Sequence, residues 1–220
     1  MSTTSRAPTH PAAPQQGAPA AATRPNEAVC WGLPESGAAL PLGPGDIEAA
    51  AQRLNVDTPA VYAVTEVEAH GAGFDAQKRP KILFEPARFH DYTHHRFDAS
   101  HPELSCTYSS PRRRASYRKD QWDVLHAAFL LDPDNAVKAT SWGMFQVLGA
   151  NMGAGGYTDT RTFVDAMFAS EGNHLRLFVD LLRVNRWDRY LRAHQWASFA
   201  SHYNGPGYRD DPGGAYDVRL

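Results

Sequence analysis

Asp57-Thr58-Pro59-Ala60-Val61-Tyr62-Ala63-Val64-Thr65-Glu66-Val67-Glu68-Ala69-His70, followed by Gly71-Ala72-Gly73-Phe74, is the stretch on which the fold turns. Asp57 or Thr58 can cap free helical N–H groups, and Pro59 suits a first helical turn. The two glycines then stop the helix. Val61, Val64 and Glu68 fall at i, i+3 and i+7, so Glu68 shares the apolar face. Glu66 lies about 200° away round the helix and is expected on the solvated side. A glutamate at the C-terminal end of a buried face is desolvated and meets the negative end of the helix dipole. Both effects favour the neutral acid, which is the form a general acid needs.

Outward from that helix the pattern stays mostly helical. Upstream, Asp46 is expected to cap a short helix from Ile47 to Asn55, with Ile47, Ala50, Ala51 and Leu54 on one face. Residues 1–27 are rich in Pro, Ala, Gln and Thr and read as a disordered tail or linker. Residues 28–45 are transitional, with Trp31 and Leu40 expected to pack on the domain that fills 46–220. Downstream, Lys78 to Glu85 reads as a strand with an Ile82-Leu83-Phe84 core, bounded by Pro80 and Pro86. Residues 90–120 read as loop. Helices resume at Asp120, with Trp122, Leu125 and Phe129 as buried positions, and restart at Asp132-Pro133. Ser141 to Gly149 breaks the pattern with two glycines around a polar-aromatic core. Thr162–Ala169, Ser170–Val184, Trp187–Ala193 and Trp196–His202 complete the helices, and Tyr203-Asn204-Gly205-Pro206-Gly207-Tyr208 closes the last one.

The 220 residues are 42% hydrophobic, enough apolar material for one domain with a real core. The formal charge of −2 gives no global attraction to nucleic acid. No apolar run is long enough to span a bilayer, and the N-terminus has no apolar h-region, so no membrane insertion and no Sec signal peptide are expected. Delivery to the cell wall would then need another route. Cys30 and Cys106 are compatible with one disulfide or two thiols. His90, His94, His95 and His101 crowd one loop, yet no His-Glu-x-x-His spacing occurs, and no metal or other cofactor is expected.

The layout is that of an α+β, predominantly helical, lysozyme-like fold: a catalytic helix, a small β-hairpin, then helices. The ordered blocks Ala63 to Phe74, Lys81 to Glu85, Ser141-Trp142-Gly143-Met144-Phe145-Gln146-Val147, Trp196 to Ala200 and Tyr203 to Tyr208 resemble the N-acetylmuramidase domain of bacteriophage endolysins. More distantly they are similar to goose-type lysozyme. The resemblance spans about residues 45–220. It implies a bacteriolytic peptidoglycan hydrolase that cleaves the β-1,4 bond between N-acetylmuramic acid and N-acetylglucosamine, with glycan strands as partner; the working form is expected to be a monomer.

Carried onto this sequence, the family's catalytic glutamate falls on Glu68 and the Leu-Phe-Glu carboxylate on Glu85. The family usually continues with Arg-His, where this chain has Pro86-Ala87. Glycoside hydrolysis needs one neutral carboxyl group and usually a second carboxylate. Glu85 is the candidate for the second, on a strand expected to cross the cleft opposite Glu68. A structural role in a salt bridge to Arg79, Lys81 or Arg88 competes with that. Asp75 and Asp91 are lower-ranked alternatives. Ser141, Gly143, Gln146, Tyr203 and Asn204 are the expected substrate-binding residues. Trp142 is the tryptophan to test as a sugar platform. Ser109 to Lys119 is the one concentrated basic patch. Lytic transglycosylase chemistry on the same bond and a non-catalytic wall-binding module are the alternatives.

Overall fold

The computed structural model describes residues 31–69, 71–203 and 205, with Glu68 described in its backbone only. The first helices among the described residues are α1 (Pro44–Leu54) and α2 (Thr58–Glu68). In α1 the expected stripe of Ile47, Ala50, Ala51 and Leu54 is buried. Its cap differs from expectation. Gly43 is the N-cap, and Asp46 sits three residues inside, where its carboxylate accepts from the Gly43 N–H at 2.8 Å. The acidic side chain reaches back over the helix start instead of preceding it. Helix α2 begins after Asp57 with Pro59 in its first turn, buries Val61, Val64 and Val67, and leaves Glu66 exposed.

Past α2 the backbone doubles back between Gly73 and Lys81. Lys81 N–H donates to the Gly73 carbonyl at 2.8 Å. Asp75 clips the bend by accepting from the N–H groups of Gln77 and Arg79 and from Arg79 Nε. This loop feeds strand β1 (Ile82–Phe84), shorter than the stretch expected from Lys78. Its partner comes from far along the chain. β1 pairs antiparallel with β2 (Thr140–Trp142), Ile82 opposite Trp142, and β2 pairs with β3 (Val147–Leu148). The sheet is therefore three-stranded in the order β1-β2-β3, and the tight hairpin is β2–β3.

Helix α3 (Pro86–Tyr92) runs into the expected loop at 90–120, and α4 (Pro111–Ser116) lies within it. Each starts with a proline in its first turn, where the missing N–H costs nothing. Pro86 thus opens a helix as well as ending a strand. Next come α5 (Gln121–Leu131), capped by Asp120, and α6 (Pro133–Lys138), capped by Asp132. Beyond the sheet lie a 3-10 segment (Gly149–Gly155), α7 (Thr160–Ala169), α8 (Glu171–Val184), α9 (Asp188–Arg192) and α10 (Trp196–Tyr203).

The core sits where α5, α7 and α8 meet the sheet. Trp142, only 1% exposed, donates from Nε1 to the Val137 carbonyl and stands edge-on to Trp122 and Phe163. It is core, not a sugar platform, because its ring has no face left for a ligand. Leu175, Phe178, Val179 and Leu182 bury the expected stripe of α8. Leu40 departs from expectation: its side chain is 58% exposed. The arm it belongs to is held by backbone instead, through Ala39 N–H to Phe168, Leu40 N–H to Ala169, and Glu171 N–H back to Leu40. Cys106 is a buried free thiol, and Cys30 lies outside the described residues.

Candidate active site

A cleft of about 460 Å³ opens directly after α2. One lip is the turn at Gly71 and Ala72, with Asp75 and Arg79. The other is the β2–β3 turn, with Gly143, Met144 and Gln146. Lys81, Ile82 and Leu83 run between them, and Asp120, Gln121 and Trp122 complete the wall. The Glu68 backbone ends the helix that leads into the first lip. A larger hollow of about 600 Å³, between α1 and α8, contains none of the motif residues.

The hairpin lip is tied to Lys81, at the entry to β1. Gly143 N–H donates to the Lys81 carbonyl at 2.7 Å. Gln146 Nε2 donates to the Gly143 carbonyl at 2.8 Å and to Lys81 O at 3.2 Å. Gly143 has φ +68, a left-handed backbone that only glycine adopts freely. Gln146, with φ +49, takes the same region and is exposed at the rim. Beneath, Arg79 lies over the Trp122 ring at 5.3 Å, and Trp122 Nε1 donates to Pro80 O.

Behind both lips stands an arrangement the sequence reading missed: Glu171 and His174, one turn apart on α8. The Glu171 carboxylate is buried and accepts from Gly73 N–H at 2.6 Å and from Leu42 N–H at 2.9 Å. It also sits in the first turn of its helix, where a negative group is favoured by the helix dipole. His174 donates from Nε2 to the Met167 carbonyl at 2.7 Å and accepts at Nδ1 from Met144 N–H at 3.2 Å. That pattern describes a neutral ring, and burial pushes the imidazole below its ordinary value, against the opposing pull of the Met167 bond and of Glu171. The ring is wedged between the lips. A Cβ on Gly73 would lie 2.7 Å from Nδ1, and one on Gly143 would lie 2.6 Å from it. A Glu-x-x-His spacing at a helix start was the available signal, but nothing local says what it would meet.

Glu85 lies at the end of β1 as the N-cap residue of α3 and is half-buried. The basic residues expected beside it, Arg79, Lys81 and Arg88, are not its partners among the described ion pairs. Instead its carboxylate accepts a short hydrogen bond from the Tyr117 hydroxyl, which also receives Arg113 Nη1 at 3.2 Å. Burial, and then the adjoining carboxylate, push the Tyr117 hydroxyl far up, so it stays a donor. Glu85 is not among the residues that line the cleft.

The expected substrate residues divide. Gly143 and Gln146 line the cleft. Ser141 sits mid-strand in β2, opposite Leu83 and Leu148, outside that lining. Tyr203 donates its hydroxyl to the Phe145 carbonyl at 2.8 Å and packs against Phe178 and Phe199, bracing the hairpin from behind. Asn204 and the Glu68 side chain lie outside the described residues. Asp75 is fully engaged in its bend, and Asp91 is exposed on α3.

This combination of helices, a three-stranded sheet and a cleft between a helix-ending turn and a hairpin is that of a lysozyme-like α+β fold. The N-acetylmuramidase family model matches residues 57–220, and the chain belongs to that family. It is thereby a peptidoglycan hydrolase by class. Among solved structures, the crystal structure of the Burkholderia AP3 phage endolysin is similar, with 36% identity and a TM-score of 0.71. That match covers 80% of this chain and 67% of the other. No protein of curated function matches. No helix among the described residues is long and apolar enough to cross a membrane.

Proposed function

We propose that this chain cleaves the β-1,4 bond between N-acetylmuramic acid and N-acetylglucosamine by general acid catalysis from Glu68. The observation that carries the reading is the cleft beginning at the turn that follows the last residue of α2. A carboxyl group at that helix end protonates the leaving oxygen, and water completes the hydrolysis. Glu85 is the second carboxylate, oriented by Tyr117. Gly143 and Gln146 meet the sugar N-acetyl groups, Ser141 and Tyr203 act through the hairpin they hold, and Asn204 adds an amide. The enzyme works as a monomer on glycan strands of the cell wall, without nucleic acid or membrane insertion, and its cleft chemistry uses no cofactor.

One observation favours a second reading. Glu85 is engaged by Tyr117 and stands outside the cleft lining, which suits a lytic transglycosylase that uses a single acid/base carboxylate. Mass spectrometry of muropeptides released by wild type and Glu68→Gln separates these outcomes. Reducing ends support hydrolysis, and anhydro ends support the transglycosylase. Glu68→Gln is expected to lose about a hundred- to ten-thousandfold in rate with the thermal midpoint unchanged or raised. Wild type that co-sediments with wall material but clears none of it in a zymogram would leave only a wall-binding module.

A further inference from the structure

Helix α3 ends in a group of side chains that the cleft chemistry does not use. His90, Asp91 and His95 each bring one metal-ligating atom within 4.8 Å of the others. His90 is buried and fixed. Its Nδ1 lies 2.9 Å from Asp98 Oδ1 and 2.8 Å from Oδ2, and Asp98 Oδ1 in turn accepts from the Ser105 hydroxyl at 2.5 Å. Because Nδ1 carries its proton to a carboxylate, the unprotonated lone pair of a neutral His90 is on Nε2. Nε2 faces Asp91, 3.9 Å from Oδ1. The His95 ring stacks on His90 with centroids 3.9 Å apart and planes 6° apart.

We infer that His90, Asp91 and His95 form a binding site for a divalent transition metal, with Asp98 and Ser105 as its outer support. Two imidazoles and one carboxylate suit zinc or its neighbours rather than calcium or magnesium, which prefer oxygen ligands alone. A carboxylate on the far ring nitrogen of a ligating histidine fixes the tautomer and raises its basicity. Ligands at about 2.0–2.1 Å in tetrahedral array stand roughly 3.3 Å apart. Asp91 and His95 are both exposed, so side-chain rotation alone can close the remaining gap toward the fixed His90. Water takes the fourth position. All three ligands lie within six residues, so the ion would clasp the C-terminal end of α3 to the turn after it. There His95 N–H already bonds to His90 O at 2.9 Å. His94 is the adjacent imidazole, equally exposed, and outside the group.

The test uses the full-length, untagged chain titrated with Zn²⁺ by calorimetry, with thermal melts at each zinc level. His94 and His95 both have left-handed backbones, φ +52 and +64, which asparagine tolerates, so His94→Asn and His95→Asn form a matched pair. Wild type is expected to bind one ion and to melt higher as zinc rises. His95→Asn is expected to bind at least tenfold more weakly and to lose the zinc-dependent rise, while His94→Asn behaves as wild type. Asp91→Asn, at an exposed position, is expected to weaken binding by a similar factor. No binding heat in wild type overturns the assignment. So does unchanged affinity in both His95→Asn and Asp91→Asn, or an equal loss in His94→Asn.

Discussion

Glu171 is a buried carboxylate and Glu85 a half-buried one, and the chain holds them in different ways. Glu171 is gripped by two backbone amides, Leu42 and Gly73, that belong to segments on either side of α2. Glu85 is held by a tyrosine hydroxyl backed by an arginine. Backbone amides cannot swing away without moving the chain, so Glu171 fixes geometry. Side-chain donors can change rotamer, so Glu85 can exchange Tyr117 for a water or a sugar hydroxyl. The two acidic groups thus suit opposite duties, one as framework and one as a candidate participant in the chemistry.

The largest expected effect of separating them is from Glu171→Ala. It leaves two amides without an acceptor and is expected to cost about 3 kcal/mol, a fall in thermal midpoint of roughly 6–12 °C. Lytic activity should fall with it, because the Gly73 lip loses its anchor. A melt within a degree of wild type would put Glu171 on the same footing as Glu85. Gly143→Ala comes next, at about 1–3 kcal/mol, since its φ is +68 and a Cβ meets the His174 ring at 2.6 Å. Urea denaturation checks the size.

A third outcome concerns pH. His174 is held below its ordinary value of 6.5 in the folded chain by burial. As pH falls past 6.5 the unfolded chain therefore takes up the proton first, and stability declines. Above that pH both states are neutral and the effect vanishes. Urea midpoints should fall between pH 7 and pH 5, and the fall should be shallower in His174→Gln. Equal slopes would remove the imidazole from the account. The smallest effect is expected from Tyr117→Phe, about 1 kcal/mol or less in stability. If Glu85 takes part in the reaction, turnover changes by more than this stability loss accounts for. If turnover and stability are both untouched, Glu85 is as inert as a framework residue.

Local signals were readable where partners are close in sequence. The helix resuming at Asp120 with Trp122, Leu125 and Phe129 buried, and the Asp132-Pro133 restart, are set within one or two turns and appear as expected. So does the solvated position of Glu66. Helices α3 and α4 were hidden because a proline reads equally well as the end of a strand or the first turn of a helix. The pairing of β1 with β2 was hidden because a three-residue apolar run carries no address for a partner beyond α6. Within the cleft, the glycines and Gln146 announce themselves by a broken pattern. Glu171 does not, because its two donors are 129 and 98 residues away. Tyr203 reads as an aromatic next to an amide, and only the Phe145 carbonyl at its hydroxyl reveals a brace.

The imidazole wedged between Gly73 and Gly143 has a mechanical consequence. It acts as a shim: neither side of the groove can shift toward the other without driving the ring into α8, and neither can retreat without opening a void around it. The two edges should therefore breathe in unison. In deuterium exchange, the amides of Gly73, Gly143 and Met144 should lose protection together, at one common opening rate, although some seventy residues of chain separate the first from the others.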